Sequence, residues 1–155
     1  MTSSFEKRAA ELGIEFPPAP KAVANYIPTY RSGKFLFFAG QLCVGTSGKL
    51  AASGQVGVDV SLEDAAAAAR VSAINVLSQV RAALGTLDAI RQIARLGGFI
   101  AAPSTFADHA KVMNGASDLM VEIFGDNGRH TRSTVGVASL PMQAAVEIDA
   151  IVEVA

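Results

Sequence analysis

The chain has 155 residues, of which 50% are hydrophobic and 17% charged, with a formal net charge of −1. That length holds one domain with a real core. The apolar content excludes a disordered chain, and the near-neutral balance offers no basic surplus to draw in a polyanion, which disfavours nucleic acid as the main ligand.

Taken from the start, MTSSFEKRAAELG carries charges where a secretory leader needs an apolar run. No window approaches the roughly 18 uninterrupted apolar residues of a membrane span. A soluble cytoplasmic domain is expected. Residues 3–12 suit a short helix, capped by Ser3 or Ser4 and ended by Gly13. Phe16-Pro17-Pro18-Ala19-Pro20 is extended and stiff, because proline lacks a donor and restrains its predecessor. Residues 1–20 thus read as an N-terminal helix and Pro-rich arm before a single domain over 21–155.

Residues 24–31 and 34–41 predict a hairpin turned by Ser32-Gly33, with Pro28 making the first strand an edge or a bulge. The second strand carries aromatics on both faces, so both faces should be covered, one of them by another subunit. Gly40 marks either a bulge or a place where backbone approaches a ligand closely. Cys43, the single cysteine, reads as a small buried hydrophobe. With only His109 and His130 as histidines, neither a disulfide framework nor a metal site is expected. The glycines at 45, 48, 54 and 57 lack the pattern of a phosphate cradle, so residues 42–60 read as turns plus a short strand.

Ser61 with Asp64 opens a helix over 62–84 that ends at Gly85. Its side chains are nearly all apolar, and surface that one small domain cannot hide points to subunit contacts. Residues 89–101 read as a strand with Gly97-Gly98 in its middle, broken by Pro103. Thr105 with Asp108 opens a second helix that ends at Gly125, with Gly115 permitting a close contact and His109 at its surface. Two helices backing one mixed sheet make an α+β, two-layer sandwich.

Residues 132–155 carry the chemistry. In the first of two period-2 segments Val135 and Val137 share one face, and Arg132, Thr134 and Gly136 the other. After Leu140-Pro141, Val146, Ile148, Ala150, Val152 and Val154 form an apolar face with Glu147 opposite. In one sheet, Arg132 and Glu147 would converge over a shallow floor of Thr134 and Gly136. A guanidinium fork suits a carboxylate; the plain alternative is a strand-end ion pair, with Glu147 itself as partner. Glu147 is either a general base or one of an acidic outer row with Asp149 and Glu153.

The run Arg132-Ser133-Thr134-Val135, then Leu140-Pro141, then Val146-Glu147-Ile148, resembles the C-terminal signature of the Rid family of imine deaminases, also called YjgF or L-PSP. The resemblance extends to Tyr26 and to Phe38-Ala39-Gly40-Gln41. It implies a chorismate-mutase-like fold, a homotrimer with sites in the clefts between subunits, and no metal or organic cofactor. It also implies that Arg132 binds the carboxylate of a 2-imino or 2-oxo acid and that Glu147 sets the attacking water. Tyr26 would line the cleft from a neighbouring subunit, with backbone near Gly40 closing it. Two departures stand out. His130-Thr131 replaces the family's small residue followed by Pro or Thr, so His130 either reaches the ligand or bonds locally. Thr134 stands where many members carry Cys or Ala.

The expected activity is hydrolysis of small enamines or 2-imino acids to 2-oxo acids and ammonia. Its rivals are a carboxylate-binding trimer without turnover and RNA cleavage; for the latter the chain lacks a basic, aromatic-rich strip.

Overall fold

A computed structural model describes residues 4–155. Ser3, the alternative helix cap, lies outside them. Ser4 caps α1 (Phe5–Glu11) through the Lys7 amide at 3.0 Å. β1 (Thr29–Ser32) and β2 (Phe35–Leu42) form the hairpin. α2 (Leu62–Leu84), β3 (Ile90–Ala101), α3 (His109–Phe124), β4 (Thr131–Val137) and β5 (Val146–Val154) follow. The five strands make one mixed sheet in the order β1-β2-β5-β3-β4, with β3 and β4 parallel and every other pair antiparallel. The expected α+β fold is present, with α2 and α3 on one face of the sheet and α1 added beside them.

The helices start and stop where the chain supplies the chemistry. The Ser61 side chain accepts from the Asp64 amide at 3.1 Å, and Gly85 takes the left-handed conformation, φ 80°, that closes α2. α3 begins at His109 instead of near Thr105, because the chain first turns with the Phe106 amide bonded to the Pro103 carbonyl. β1 begins only after Pro28, which cannot donate to a ladder. Residues 43–60 hold no further strand of the sheet; they are fixed by isolated bridges such as Val44 with Leu50.

The helix layer packs closely. A side chain at Gly115 on α3 would collide with the Ala66 carbonyl of α2. Val146, Ile148, Ala150, Val152 and Val154 of β5 are buried beneath this layer, as their alternation predicts. The other, open face of the sheet carries Phe35, Phe37 and Val135, which are 42%, 44% and 49% exposed. Cys43 is buried, with its thiol 3.4 Å from the Ala52 carbonyl.

α1 is tied to the ends of the longer helices. Glu6 accepts from the Leu87 amide at 2.8 Å and from Arg81 at 3.2 Å. Arg8 donates to the Glu122 carbonyl at 3.0 Å, and Phe5 meets Phe124 edge-on.

Candidate functional site

The register decides which way the functional side chains point. Arg132, Thr134 and Gly136 stand opposite Leu96, Gly98 and Ile100, whose β5 partners Ala150, Ile148 and Val146 are buried under the helices. Side chains on paired residues share a face, so Arg132, Thr134 and Gly136 look toward α3. Val135 is on the open face, the reverse of the core side its apolar side chain suggests.

Arg132 is half-buried. Its Nη1 donates to Asn114 Oδ1 and to Ser117 Oγ, each at 2.9 Å, and Nη2 has a long contact of 3.5 Å with the Ala110 carbonyl. Both hydrogens of Nη1 are thereby engaged, which leaves the Nε–Nη2 edge as the fork for a carboxylate. Among the described residues Arg132 forms no ion pair, so the ordinary salt bridge with Glu147 is absent.

His130 precedes it by two and so shares its face. The ring bonds Ser117 Oγ through Nε2 at 2.9 Å and the Gly128 carbonyl through Nδ1 at 2.6 Å. Burial lowers its pKa from the ordinary value, the Gly128 bond opposes this, and the Arg132 charge lowers it further. Ser117, His130 and Arg132 line a cavity of about 290 Å³ at the edge between α3 and β4. Next along the strand, the Thr134 hydroxyl is buried without a protein hydrogen-bond partner among the described residues.

Glu147 belongs to a different face. It pairs with Phe99 and with Leu42 on the open side of the sheet, and its carboxylate lies directly over Gly40, where a Cβ would come within 2.9 Å of Cδ. The register shifts between Phe38 and Gln41, so Gly40 is both a bulge glycine and a bare platform. Burial raises the Glu147 pKa above the ordinary value, and the neighbouring Asp149 charge raises it further. Asp149 itself pairs with Arg95 at 3.3 Å. Tyr26, 52% exposed, shares with Gly40, Gln41 and Met142 a cavity of about 220 Å³.

The expected residues therefore fall into two groups. Glu147 lies over Gly40, which lines a cavity with Tyr26, and Arg132, Thr134 and His130 gather beside α3, away from them. β3 lies between the two strands, and Arg132 and Glu147 are offset by three residues along it, from Leu96 to Phe99. Two strand spacings and three residue rises separate their Cα atoms by about 14 Å. Convergence within one protomer does not occur, because β3 intervenes and the odd offset turns the side chains to opposite faces.

Residues 6–154 match the family described as "YjgF/chorismate_mutase-like, putative endoribonuclease". The chain belongs to this YjgF family. Protein TCP17 of Trypanosoma cruzi is 43% identical over 92% of this chain and 89% of its own. The crystal structure of the protein Atu1372, of unknown function, from Agrobacterium tumefaciens is 47% identical with a TM-score of 0.90, covering 97% of this chain and 92% of that one. The E. coli protein TdcF, solved with bound serine, is 28% identical with a TM-score of 0.66 and covers 92% and 98%.

Within this YjgF-family chain, sequence reasoning missed Asn114 and Ser117. Their spacing of three on α3 puts both on the helix face that meets Arg132. His109, expected at the surface, is instead half-buried in the first turn of α3, edge-on to Phe106 at 5.0 Å. Met142 and Gln143 hold left-handed backbone, φ 59° and 61°, which places Met142 at the mouth of the Tyr26–Gly40 cavity. No local sequence signal announces that strain. Among the described residues no helix is long and apolar enough to cross a membrane.

Proposed function

We propose that the protein hydrolyses small 2-imino acids to 2-oxo acids and ammonia at a site shared between two copies of the chain, arranged as a trimer. The observation that carries this reading is the half-buried Arg132 guanidinium, fixed at Nη1 and offering its other edge without a protein carboxylate to neutralise it. A 2-imino acid presents the missing carboxylate. The serine held by TdcF is also a small carboxylate with nitrogen on the adjacent carbon.

Glu147 suits the second half of the chemistry. Its raised pKa makes the carboxylate a better base than an exposed glutamate. It takes a proton from water as the oxygen bonds to the imine carbon. The nitrogen gains a proton, the carbinolamine collapses to the carbonyl, and ammonia leaves. Because Arg132 and Glu147 of one copy face apart, a ligand this small meets both only if a second copy supplies one of them. The exposed phenylalanines of the open face are suitable surface for that neighbour.

The test is ammonia release from 2-iminopropanoate generated in situ. Wild type should outpace Arg132→Ala and Glu147→Gln, and equality with the arginine variant ends the proposal. Coassembling the two inactive variants should restore activity at about a quarter of the sites if each site draws on two copies. No recovery would overturn the shared site. Binding of pyruvate without ammonia release from the imine would select the carboxylate-binding reading, which uses the same anchor.

A further inference from the structure

We infer that His130 is a positioning residue for Arg132, acting through Ser117, so that the imidazole sets where the carboxylate fork points. This rests on the reading of Arg132 as the carboxylate anchor. The hydrogen bonds admit one proton arrangement for a neutral ring. The Gly128 carbonyl can only accept, so Nδ1 carries the hydrogen. Nε2 then has a lone pair, and the Ser117 hydroxyl donates to it. That turns a lone pair of the same oxygen toward Arg132 Nη1. The bonds run in one direction, from guanidinium to hydroxyl to imidazole to backbone carbonyl.

Each member is held in place. Gly128 is buried against α3, where a Cβ would collide with the Met120 carbonyl, so its own carbonyl is a fixed acceptor. His130, just before β4, and Arg132 within it both reach Ser117, which with Asn114 approaches from α3. With Nη1 held by Asn114 and Ser117, rotation of the guanidinium about its stem is blocked and the Nε–Nη2 edge keeps one direction. Without the imidazole acceptor the Ser117 hydroxyl still accepts from Nη1 but loses the second bond that fixes where its lone pair points. Protonation of the ring would drive Nε2–H into Ser117, so that two donors converge on one oxygen beside the arginine charge. The charged groups around the ring are Arg132 on β4, Arg129 before it and Asp118 on α3.

The chain has two histidines, so their ring nitrogens are separable by long-range proton–nitrogen NMR. At neutral pH wild-type His130 should carry its hydrogen on Nδ1, and should keep it there in Ser117→Ala, because the Gly128 carbonyl still needs a donor. His130→Phe and Ser117→Ala should each weaken pyruvate binding and raise KM for 2-iminopropanoate by roughly tenfold, with kcat changed far less. His130→Gln, whose amide oxygen accepts from Ser117, should recover most of that loss. A wild-type ring protonated on Nε2, or a phenylalanine variant that binds pyruvate as wild type does, overturns the inference. Wild-type protein that neither binds pyruvate nor releases ammonia removes the anchor reading instead, and the inference with it.

Discussion

At the scale of single residues, the Glu147 carboxylate sits over bare backbone at Gly40 and is pushed toward its neutral form. As the proposed base it works only when ionised. kcat/KM for 2-iminopropanoate should therefore rise with pH across a range above the ordinary glutamate value, and Asp149→Asn should move that limb toward acid. The sign for stability is opposite. A folded-state pKa raised above the unfolded one contributes stability that is complete below the unfolded value and disappears as pH climbs through the folded value. Glu147→Gln should be inactive yet at least as resistant to denaturant as wild type at pH 7, with any gain gone in acid. Gly40→Ala would displace the carboxylate, a movable side-chain end, and should cost roughly 10–100-fold in kcat/KM with little change in melting temperature. The fifteen-residue interval from Arg132 to Glu147 is visible in the chain, but the direction of each is not. Alternation assigns Val135 and Arg132 to opposite faces without saying which face the helices cover.

At the scale of elements, α2 and α3 approach so closely that Gly115 rests on the Ala66 carbonyl. Alanine there would gain about 1 kcal/mol in helix propensity. It would also drive a methyl into backbone that cannot step aside, and the net loss should be about 1–3 kcal/mol in denaturant melts. A more stable Gly115→Ala protein would show that the helices have room. The two long helices were legible because their ends are marked, Ser61 and Gly85 for α2 and Gly125 for α3. The start of α3 was not: Asp108 stands at the cap without a side-chain bond, so the Thr105–Asp108 pattern misled by one turn and with it the place of His109. Asn114 and Ser117 escaped notice because polar residues on a helix are ordinarily solvated, and only the strand register shows that these two face an arginine.

At the scale of the whole molecule, the apolar surplus lies on the aromatic strand β2 and not on α2, the other place the sequence suggests for it. Val76, Leu77 and Val80 of α2 are buried within the protomer, whereas Phe35, Phe37 and Val135 are exposed on the open sheet face. Phe37→Asp should shift the mass measured by light scattering toward a single chain and abolish ammonia release together. Arg132→Ala should abolish release while leaving the mass unchanged. A Phe37→Asp protein of wild-type mass would remove this face from the assembly.

The position of β5 in the sheet has a consequence for how the chain comes into being. Of the five strands it is the last to be synthesised and the middle one in the sheet. Until it is synthesised, β1–β2 and β3–β4 are two separate ribbons, each with an unsatisfied inner rim. The segment that stitches them also carries Glu147, so closure of the scaffold and delivery of the acid are a single event. A polypeptide stalled before Val146 has neither the joined sheet nor Glu147.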